Sequence, residues 1–302
     1  MRETRNEIKR LIAAHGAAPR SPTAIAGLTL FNCPNPTAPK RSFYEPRLCV
    51  VVQGRKRVTL GGTVHDVDAT GCLLATIDLP VMASVTEADP DAPHLALTLS
   101  LDRVRISEVL MGMARRPAPA VAKPSGLVGG PQEPDLLDPL VRLLHLLDRP
   151  ADIAVLAPMI EREILYRLLQ GGFGGPLSHH AGDDALLSRV GRATAWIRAN
   201  YHRPLAVAEL ASRSGMSATS LHRHFRLLTG MTPLQYRREL RLTEARRRIL
   251  SGWRAGDAAA AVGYDSPSQF NREYRRSFGL PPIADAAAWQ RDAGRDGNAA
   301  SR

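Results

Sequence analysis

Two segments near the C-terminus carry a serine, two arginines and an aromatic ring at the same spacing. Residues 217–230 and 266–279 match at a constant offset of 49 residues, and each places an arginine two residues before an aromatic ring. On one helical face, both segments present side chains that could hydrogen-bond to base edges, as arginine does to guanine. These side chains are Thr219, His222, Arg223, Arg226, Ser268, Gln269, Arg272 and Arg275. The pattern predicts base reading in the major groove of double-stranded DNA by two helices.

Each of these segments needs a neighbouring helix to hold it. An alanine-rich stretch precedes each one and ends at Gly215 or Gly263. Glycine can end a helix in a left-handed conformation, and a serine then caps the next helix. One such helix-turn-helix pattern is a weak signal, but two copies in register form a strong one.

The segment between the two copies predicts one long helix from Thr232-Pro233 to Leu250. About 20 residues span about 30 Å, close to the ~34 Å between successive major-groove faces on one side of DNA. We expect some of its arginines to face phosphates. They are Arg237, Arg238, Arg241, Arg246, Arg247 and Arg248.

The positive charge of the chain is confined to the same region. The net charge is +11, and residues 186–302 hold 20 arginines and nine acidic residues, whereas residues 1–185 are balanced. Nucleic acid is therefore the favoured partner, with an arginine-rich solvated surface as the alternative.

The first half of the chain predicts a β-rich domain. A short polar helix at 1–20 precedes short β-type runs at 23–101, which suggest a small sandwich or barrel. Arg55-Lys56-Arg57 follows Gly54 and is interpreted as a solvated hairpin turn, with effector binding as the alternative. Residues 115–135, rich in proline and glycine, predict a loop.

Two leucine-rich amphipathic helices are predicted within 135–169. They could form a homodimer or cover the β-domain, and the pattern does not decide between these roles. The glycine-rich stretch after Gly171, extending to Asp184, predicts a boundary between domains at 1–185 and 186–302, the second with its core at 190–290.

Residues ~190–290 resemble the DNA-binding domain of the AraC/XylS family of bacterial transcription regulators. The matching motifs are Leu210-Ala211-x3-Gly215-Met216-Ser217-x3-Leu221-x-Arg223-x-Phe225, Gly230-x-Thr232-Pro233-x2-Tyr236, Arg241-Leu242-x2-Ala245, Val262-Gly263-Tyr264-x-Ser266 and Phe278-Gly279-x2-Pro282. The first half is similar to a regulatory domain found in some of these proteins, in stretches such as 48–57 and 161–169. The resemblance implies a cupin-like β-domain with dimerising helices and an effector.

The second copy departs from the family pattern at two places. Asp285-Ala286 stands where the family has a Tyr-Arg pair, and Ala258 lies in an unusually small-sided first helix. We expect the last helix to be altered and to bind one phosphate fewer. We also expect the second unit to contribute less to specificity than the first.

No residue pattern indicates catalysis, a metal site or a cofactor. The β-region holds only His65 and His94 and has no His-x-His pair, while His179-His180 falls in the glycine-rich stretch and is expected to be solvated. Cys33, Cys49 and Cys72 are interpreted as buried small side chains, with a redox or electrophile sensor as the alternative. Tyr236 and Trp196 are interpreted as core residues rather than base-stacking groups.

The sequence therefore predicts an α+β two-domain protein that is not an enzyme. A small β-barrel or cupin-like domain with flanking helices would precede an all-α domain of two helix-turn-helix units joined by a long helix. The predicted function is sequence-specific transcription regulation with an unidentified small-molecule effector. Activation is the expected direction, although the residues do not decide between an activator and a repressor. The alternative is a non-specific architectural DNA-binding protein. Expected partners are double-stranded DNA and a second copy, with RNA polymerase as a further candidate. Without an apolar leader or membrane span, the expected location is the cytoplasm.

Overall fold

The computed structural model describes residues 2–114, 125–181 and 186–288. The strands are β1 Ser21–Pro22, β2 Leu28–Cys33, β3 Lys40–Tyr44, β4 Arg47–Gln53, β5 Arg55–Leu60, β6 Thr63–Asp68, β7 Gly71–Ala75, β8 Leu79–Glu87, β9 His94–Ser100 and β10 Leu127–Pro131. The helices are α1 Arg2–His15, α2 Arg103–Gly112, α3 Pro134–His145, α4 Ile153–Gln170, α5 Gly174–Ala181, α6 Leu186–Asn200, α7 Val207–Arg213, α8 Ala218–Thr229, α9 Pro233–Leu250, α10 Ala255–Ala261 and α11 Pro267–Phe278. A further helix occupies 282–288.

The strands form two antiparallel sheets. One has the order β1-β2-β9-β4-β7-β10 and the other the order β3-β8-β5-β6. The predicted two-domain α+β fold, with a β-rich first half and a helical second half, is confirmed. Within the described residues, the two sheets do not close into a single barrel.

The leucine-rich helices cover one face of the six-stranded sheet. Leu136, Leu140 and Leu143 of α3 are buried in one hydrophobic cluster with Leu48 and Leu97 from the sheet. The leucines of α3 therefore cover the β-domain, the second of the two roles left open by the sequence.

Three predictions for the first half were wrong in detail. Residues 127–131 form β10, which pairs with β7, rather than a loop. The Phe173 ring can pack against this strand because Gly130 has no side chain there. Part of the glycine-rich boundary forms α5. Arg55-Lys56-Arg57 belongs to β5, because the chain already turns at Gly54, where φ is +73°.

The first helix-turn-helix unit shares a hydrophobic cluster with the β-sheets. Phe225 and Tyr236 are buried in the same cluster as Val58 and Leu79. The Tyr236 hydroxyl donates a 3.0 Å hydrogen bond to the carbonyl oxygen of Asp78. The predicted core position of Tyr236 is confirmed, and the hydrophobic contacts cross the boundary expected near residue 185.

Polar contacts also join the two halves. Arg198 of α6 donates to Asp78 at 2.9 Å and pairs with Glu45. Arg41 of β3 pairs with Glu239 of α9 and donates a 2.9 Å hydrogen bond to the carbonyl oxygen of Ser277 in α11. The edge strand β3 therefore contacts both the long helix and the second unit.

The cysteine side chains are largely enclosed. Cys49 and Cys72 are buried, whereas Cys33 is half-buried. Burial raises the pKa of Cys72 to about 12, which keeps this thiol protonated at neutral pH. The interpretation as buried small side chains therefore fits Cys49 and Cys72 best.

Other sequence-based expectations concern metal and membrane sites. Across residues 2–114, 125–181 and 186–288, no three His, Cys, Asp or Glu side chains cluster as a metal site would need. No described helix is long and apolar enough to span a bilayer. The side chains of His179 and His180, and the prolines at 117 and 119, lie outside the described residues.

Candidate nucleic-acid interface

The first unit folds as its sequence pattern predicts. Helix α7 ends before Gly215, whose φ is +65°, and the Ser217 side chain caps α8 by accepting from the backbone N–H of Ser220. Gly230, with a φ of +74°, ends α8 in the left-handed region.

The second unit repeats this geometry. Gly263 has a φ of +90° after α10, and the Ser266 side chain accepts from the backbone N–H of Gln269 at the start of α11. Gly279 ends α11 with a φ of +81°. The predicted recognition helices at 218–229 and 267–278 are confirmed as helices with these bounds.

All eight predicted base-reading residues are exposed. The four in α8 are Thr219, His222, Arg223 and Arg226, and the four in α11 are Ser268, Gln269, Arg272 and Arg275. The apolar residues at helical spacing from them point inward, as the burial of Phe225 and Tyr274 shows. Each unit thus presents one polar face to solvent, while their contact with bases remains a prediction.

A neighbouring histidine, which the sequence analysis did not single out, holds Arg223 in place. Arg223 lies 3.1 Å from His224 Nε2, and His224 Nδ1 lies 3.1 Å from the Ser220 hydroxyl. Partial burial and the Arg223 charge lower the pKa of His224, so its ring is neutral at pH 7. Nε2 then accepts from Arg223 while Nδ1–H donates to Ser220.

A carboxylate plays the corresponding part in α11. The Gln269 amide donates a 3.1 Å hydrogen bond to Glu273, which also accepts a 2.8 Å hydrogen bond from the Tyr264 hydroxyl. The spacing of Gln269 and Glu273, four residues apart on one helix, could have indicated this contact from the sequence.

The arginines of α9 mainly bind other parts of the protein. Arg241 donates to the carbonyl oxygens of Tyr201, His202 and Arg203, and Arg237 also donates to Arg203. Of the six arginines named above, only Arg247 is exposed; the other five are half-buried. A groove of about 350 Å³ between α9 and the second unit is lined by Arg237, Arg238 and Gln269, among other residues.

Asp285 fixes the last described helix to the second unit. Its carboxylate accepts from Arg246 at 2.7 and 3.0 Å and from the Tyr274 hydroxyl at 2.7 Å. Burial opposes ionisation, but the hydrogen bonds from Arg246 and Tyr274 outweigh it and lower the pKa of Asp285. The departure from the family pattern at this residue therefore creates a buried ion pair.

Aromatic rings fill the space beside the small first helix of the second unit. Ala258 is buried together with Tyr264, Phe270 and Tyr274. The ring centroids of Phe270 lie 5.2 Å from Tyr264 and 5.4 Å from Tyr274. These edge-on contacts give the second unit a packed core of its own.

This geometry defines a class of protein: a β-rich domain followed by two helix-turn-helix units with exposed polar recognition faces. Residues 24–176 match the model of the AraC-type transcriptional regulator N-terminus. Residues 210–286 match a helix-turn-helix domain model. The chain belongs to the family of AraC-type transcriptional regulators, whose members are regulators of transcription.

Individual relatives cover parts of the chain. It is 32% identical over 136 residues to the transcriptional activator RhaS of Yersinia pseudotuberculosis, covering 45% of this chain and 47% of RhaS. It is 35% identical over 88 residues to RhaS of Pectobacterium carotovorum, covering 29% of this chain and 32% of that relative. The chain therefore spans about half, or less, of the length of the curated relatives it matches.

A solved structure matches most of the fold. An apo variant of ToxT from Vibrio cholerae superposes with a TM-score of 0.59 at 9% identity, over 86% of this chain and 96% of ToxT. A second ToxT structure, with an unsaturated fatty acid bound, gives a TM-score of 0.54 at 10% identity, over 86% and 93% of the two chains. At these identities, the likeness shows that the two proteins share a fold.

Proposed function

We propose that the protein is a sequence-specific DNA-binding transcription regulator, rather than an enzyme, and that its N-terminal domain binds a small-molecule effector. The observation that carries this proposal is the pair of helix-turn-helix units, each with four exposed polar side chains, three of them at matching positions. The RhaS relatives are named transcriptional activators, and we propose activation here as well. RNA polymerase is then a candidate partner, and the cytoplasm the proposed location.

Substitution of Arg223 and Arg272 to alanine, one at a time, tests base reading. The target sequence is first selected from a random DNA pool with the intact protein. We expect each variant to lose ~1–3 kcal/mol of binding free energy and to relax specificity at one half-site. Arg247→Ala is the matched control, because a phosphate contact of this exposed arginine would weaken binding to all sequences alike without relaxing specificity at a half-site.

The outcome separates two classes of DNA-binding protein. A regulator retains a large preference for its selected site over random DNA at fixed salt, whereas an architectural protein binds both through phosphates. If no sequence is enriched, or if both alanine variants bind the site like wild type, sequence-specific reading by these residues is refuted.

We also propose that the protein forms a homodimer through the outer face of α4. Val155 and Met159 are 66% and 65% exposed, and Tyr166 continues this face at helical spacing. Val155→Asp should shift the protein to monomer in sedimentation velocity. Val104→Asp should not, because Val104 is equally exposed, at 66%, but lies on α2. A monomeric wild type, or equal effects of both changes, would rule out this interface.

A further inference from the structure

One lysine occupies an inward position of the four-stranded sheet. Successive residues of a strand face opposite sides, and in β5 the buried Val58 and Leu60 share a face with Lys56. Arg55 and Arg57 face outward and pair with acidic side chains on neighbouring strands. A cation thus lies between the two sheets, where an apolar residue would ordinarily pack.

Aromatic rings rather than carboxylates surround this lysine. The Lys56 ammonium lies 5.6 Å from the Phe31 ring centroid and 5.3 Å from that of Tyr44. In the part of the chain that the structure describes, no carboxylate forms a salt bridge with Lys56, and the polar groups that act most on its charge are Tyr44 and Cys49. The faces of the rings stabilise the cation, but its capacity to bind an anion remains unused.

Two further polar groups near this lysine lack partners. The Tyr44 hydroxyl and His94 Nδ1 are buried without a hydrogen bond among the described residues, and the two side chains are 5% and 2% exposed. Leaving such groups unsatisfied costs free energy, which a bound molecule could recover. Burial and, to a smaller extent, the nearby Lys56 charge lower the pKa of His94 to about 4. The neutral ring has one N–H, and its backbone hydrogen bond with Gln53 uses it, so the unpartnered Nδ1 can accept a hydrogen bond.

The strand register brings these groups to one place. Phe31 and His94 lie on paired strands β2 and β9, with Phe31 opposite Ala96. Tyr44 and Lys56 lie on β3 and β5, which flank β8. The cluster therefore spans both sheets, and Tyr44 is buried in the same hydrophobic cluster as Val51 and Val58.

We propose that Lys56 and Tyr44 bind the carboxylate of a small monoanionic effector whose apolar body packs between the two sheets. Both side chains can donate hydrogen bonds to one carboxylate. A single ammonium neutralises one negative charge, so a monocarboxylate fits better than a phosphate dianion. This proposal rests on the effector-binding role proposed above.

A ligand titration without DNA tests this site in the whole 302-residue chain. Acetate, benzoate and octanoate are each compared with the uncharged amide of the same shape, using ligand-observed NMR. We expect at least one carboxylate to bind wild type, with its amide and the Lys56→Met variant each weaker by about 10-fold or more. Arg57→Met is the matched control, because it removes a charge from the outer face of the same strand.

Tyr44→Phe gives an independent measurement. The hydroxyl has no hydrogen-bond partner within 3.5 Å among the described residues and interacts with the Lys56 ammonium. We therefore expect the circular dichroism spectrum to stay unchanged while carboxylate affinity falls. This variant decides the question if Lys56→Met does not fold. The proposal is overturned if no carboxylate binds wild type at millimolar concentration, if the amides bind equally well, if neither folded variant weakens binding, or if Arg57→Met weakens it as much. Since the titration contains no DNA, such a failure leaves the DNA-binding proposal to its own test.

Discussion

Replacing Asp285 with alanine should loosen the second helix-turn-helix unit while leaving the first intact. The change removes the acceptor of two hydrogen bonds from Arg246 and one from Tyr274. The Arg246 and Asp285 side chains are 21% and 8% exposed, so the arginine would keep a largely buried charge without a partner. Breaking a buried pair costs about 3–5 kcal/mol. Because Arg246 keeps some exposure to solvent, we expect the second unit to lose about 3 kcal/mol of stability.

Hydrogen exchange followed by mass spectrometry can locate this loss. A decrease of about 3 kcal/mol corresponds to roughly 100-fold faster exchange for amides protected by the local structure. We expect this change in peptides from α10 and α11 but not in those from α7 and α8, because the two units bury their residues in different clusters. Asp265→Ala, an exposed acid of the same unit, is the control. Wild-type exchange in Asp285→Ala, or equal acceleration in both units, would refute the anchoring role.

Two further predictions concern the N-terminal domain. Gly130→Ala should lower the free energy of unfolding, measured by denaturant titration, by about 1–3 kcal/mol, because the new Cβ would lie 2.9 Å from the ring of the buried Phe173. Gly129→Ala is the control and should leave the denaturant midpoint nearly unchanged, because its new Cβ would have its nearest contact at 3.8 Å. The pKa of His94 is about 4 in the folded protein and ~6.5 in the unfolded chain. The buried neutral ring therefore adds its full contribution to the free energy of unfolding above pH ~6.5, and this contribution is lost as the pH falls towards 4. In His94→Gln, the melting temperature should therefore fall less between pH 7 and 4 than in wild type, whereas replacing the exposed His202 by Gln should leave this fall unchanged. If the melting temperatures of wild type and both variants fall equally over this range, the burial argument is contradicted.

Local patterns predicted the helical half well. Serine caps, left-handed glycines and apolar residues at helical spacing act within a few residues, so the bounds of α8 and α11 follow directly from the sequence. The capping box of Thr232 and Gln235 likewise fixes the start of α9.

Features that depend on distant residues were not predictable in this way. β10 was assigned to a loop because its Gly129-Gly130 pair favours turns, and its pairing with β7 becomes visible only in the folded sheet. Lys56 was assigned to a hairpin turn because it follows a strand and Gly54, whereas the chain turns at Gly54 itself and Lys56 already lies in β5.

The same limit applies to the candidate interface. The exposed face of each recognition helix follows from periodicity, but the partners of the α9 arginines do not. Arg246 binds Asp285, which lies 39 residues further along the chain. An arginine-rich helix thus predicts positive charge correctly without showing which arginines remain available to phosphates.

Strand β3 connects the proposed effector site to both DNA-binding units. Tyr44 faces the interior between the sheets, while the Phe43 ring lies 5.8 Å from that of Tyr236. At the other end of the strand, Arg41 binds Glu239 and the carbonyl oxygen of Ser277. A ligand that shifts Tyr44 would therefore act on contacts that hold α9 and α11.

Arg41→Ala tests this connection. The variant should free α9 and the end of α11 from the sheet, so we expect faster hydrogen exchange in peptides from both helices. Arg57→Ala is the matched control, because it removes an exposed arginine of the same sheet whose partner, Asp66, lies on β6. If an effector acts through β3, it should change DNA affinity less in Arg41→Ala than in wild type. The variant should still bind the effector. An effector that still changes DNA affinity by the same factor in Arg41→Ala would show that the signal does not depend on this contact.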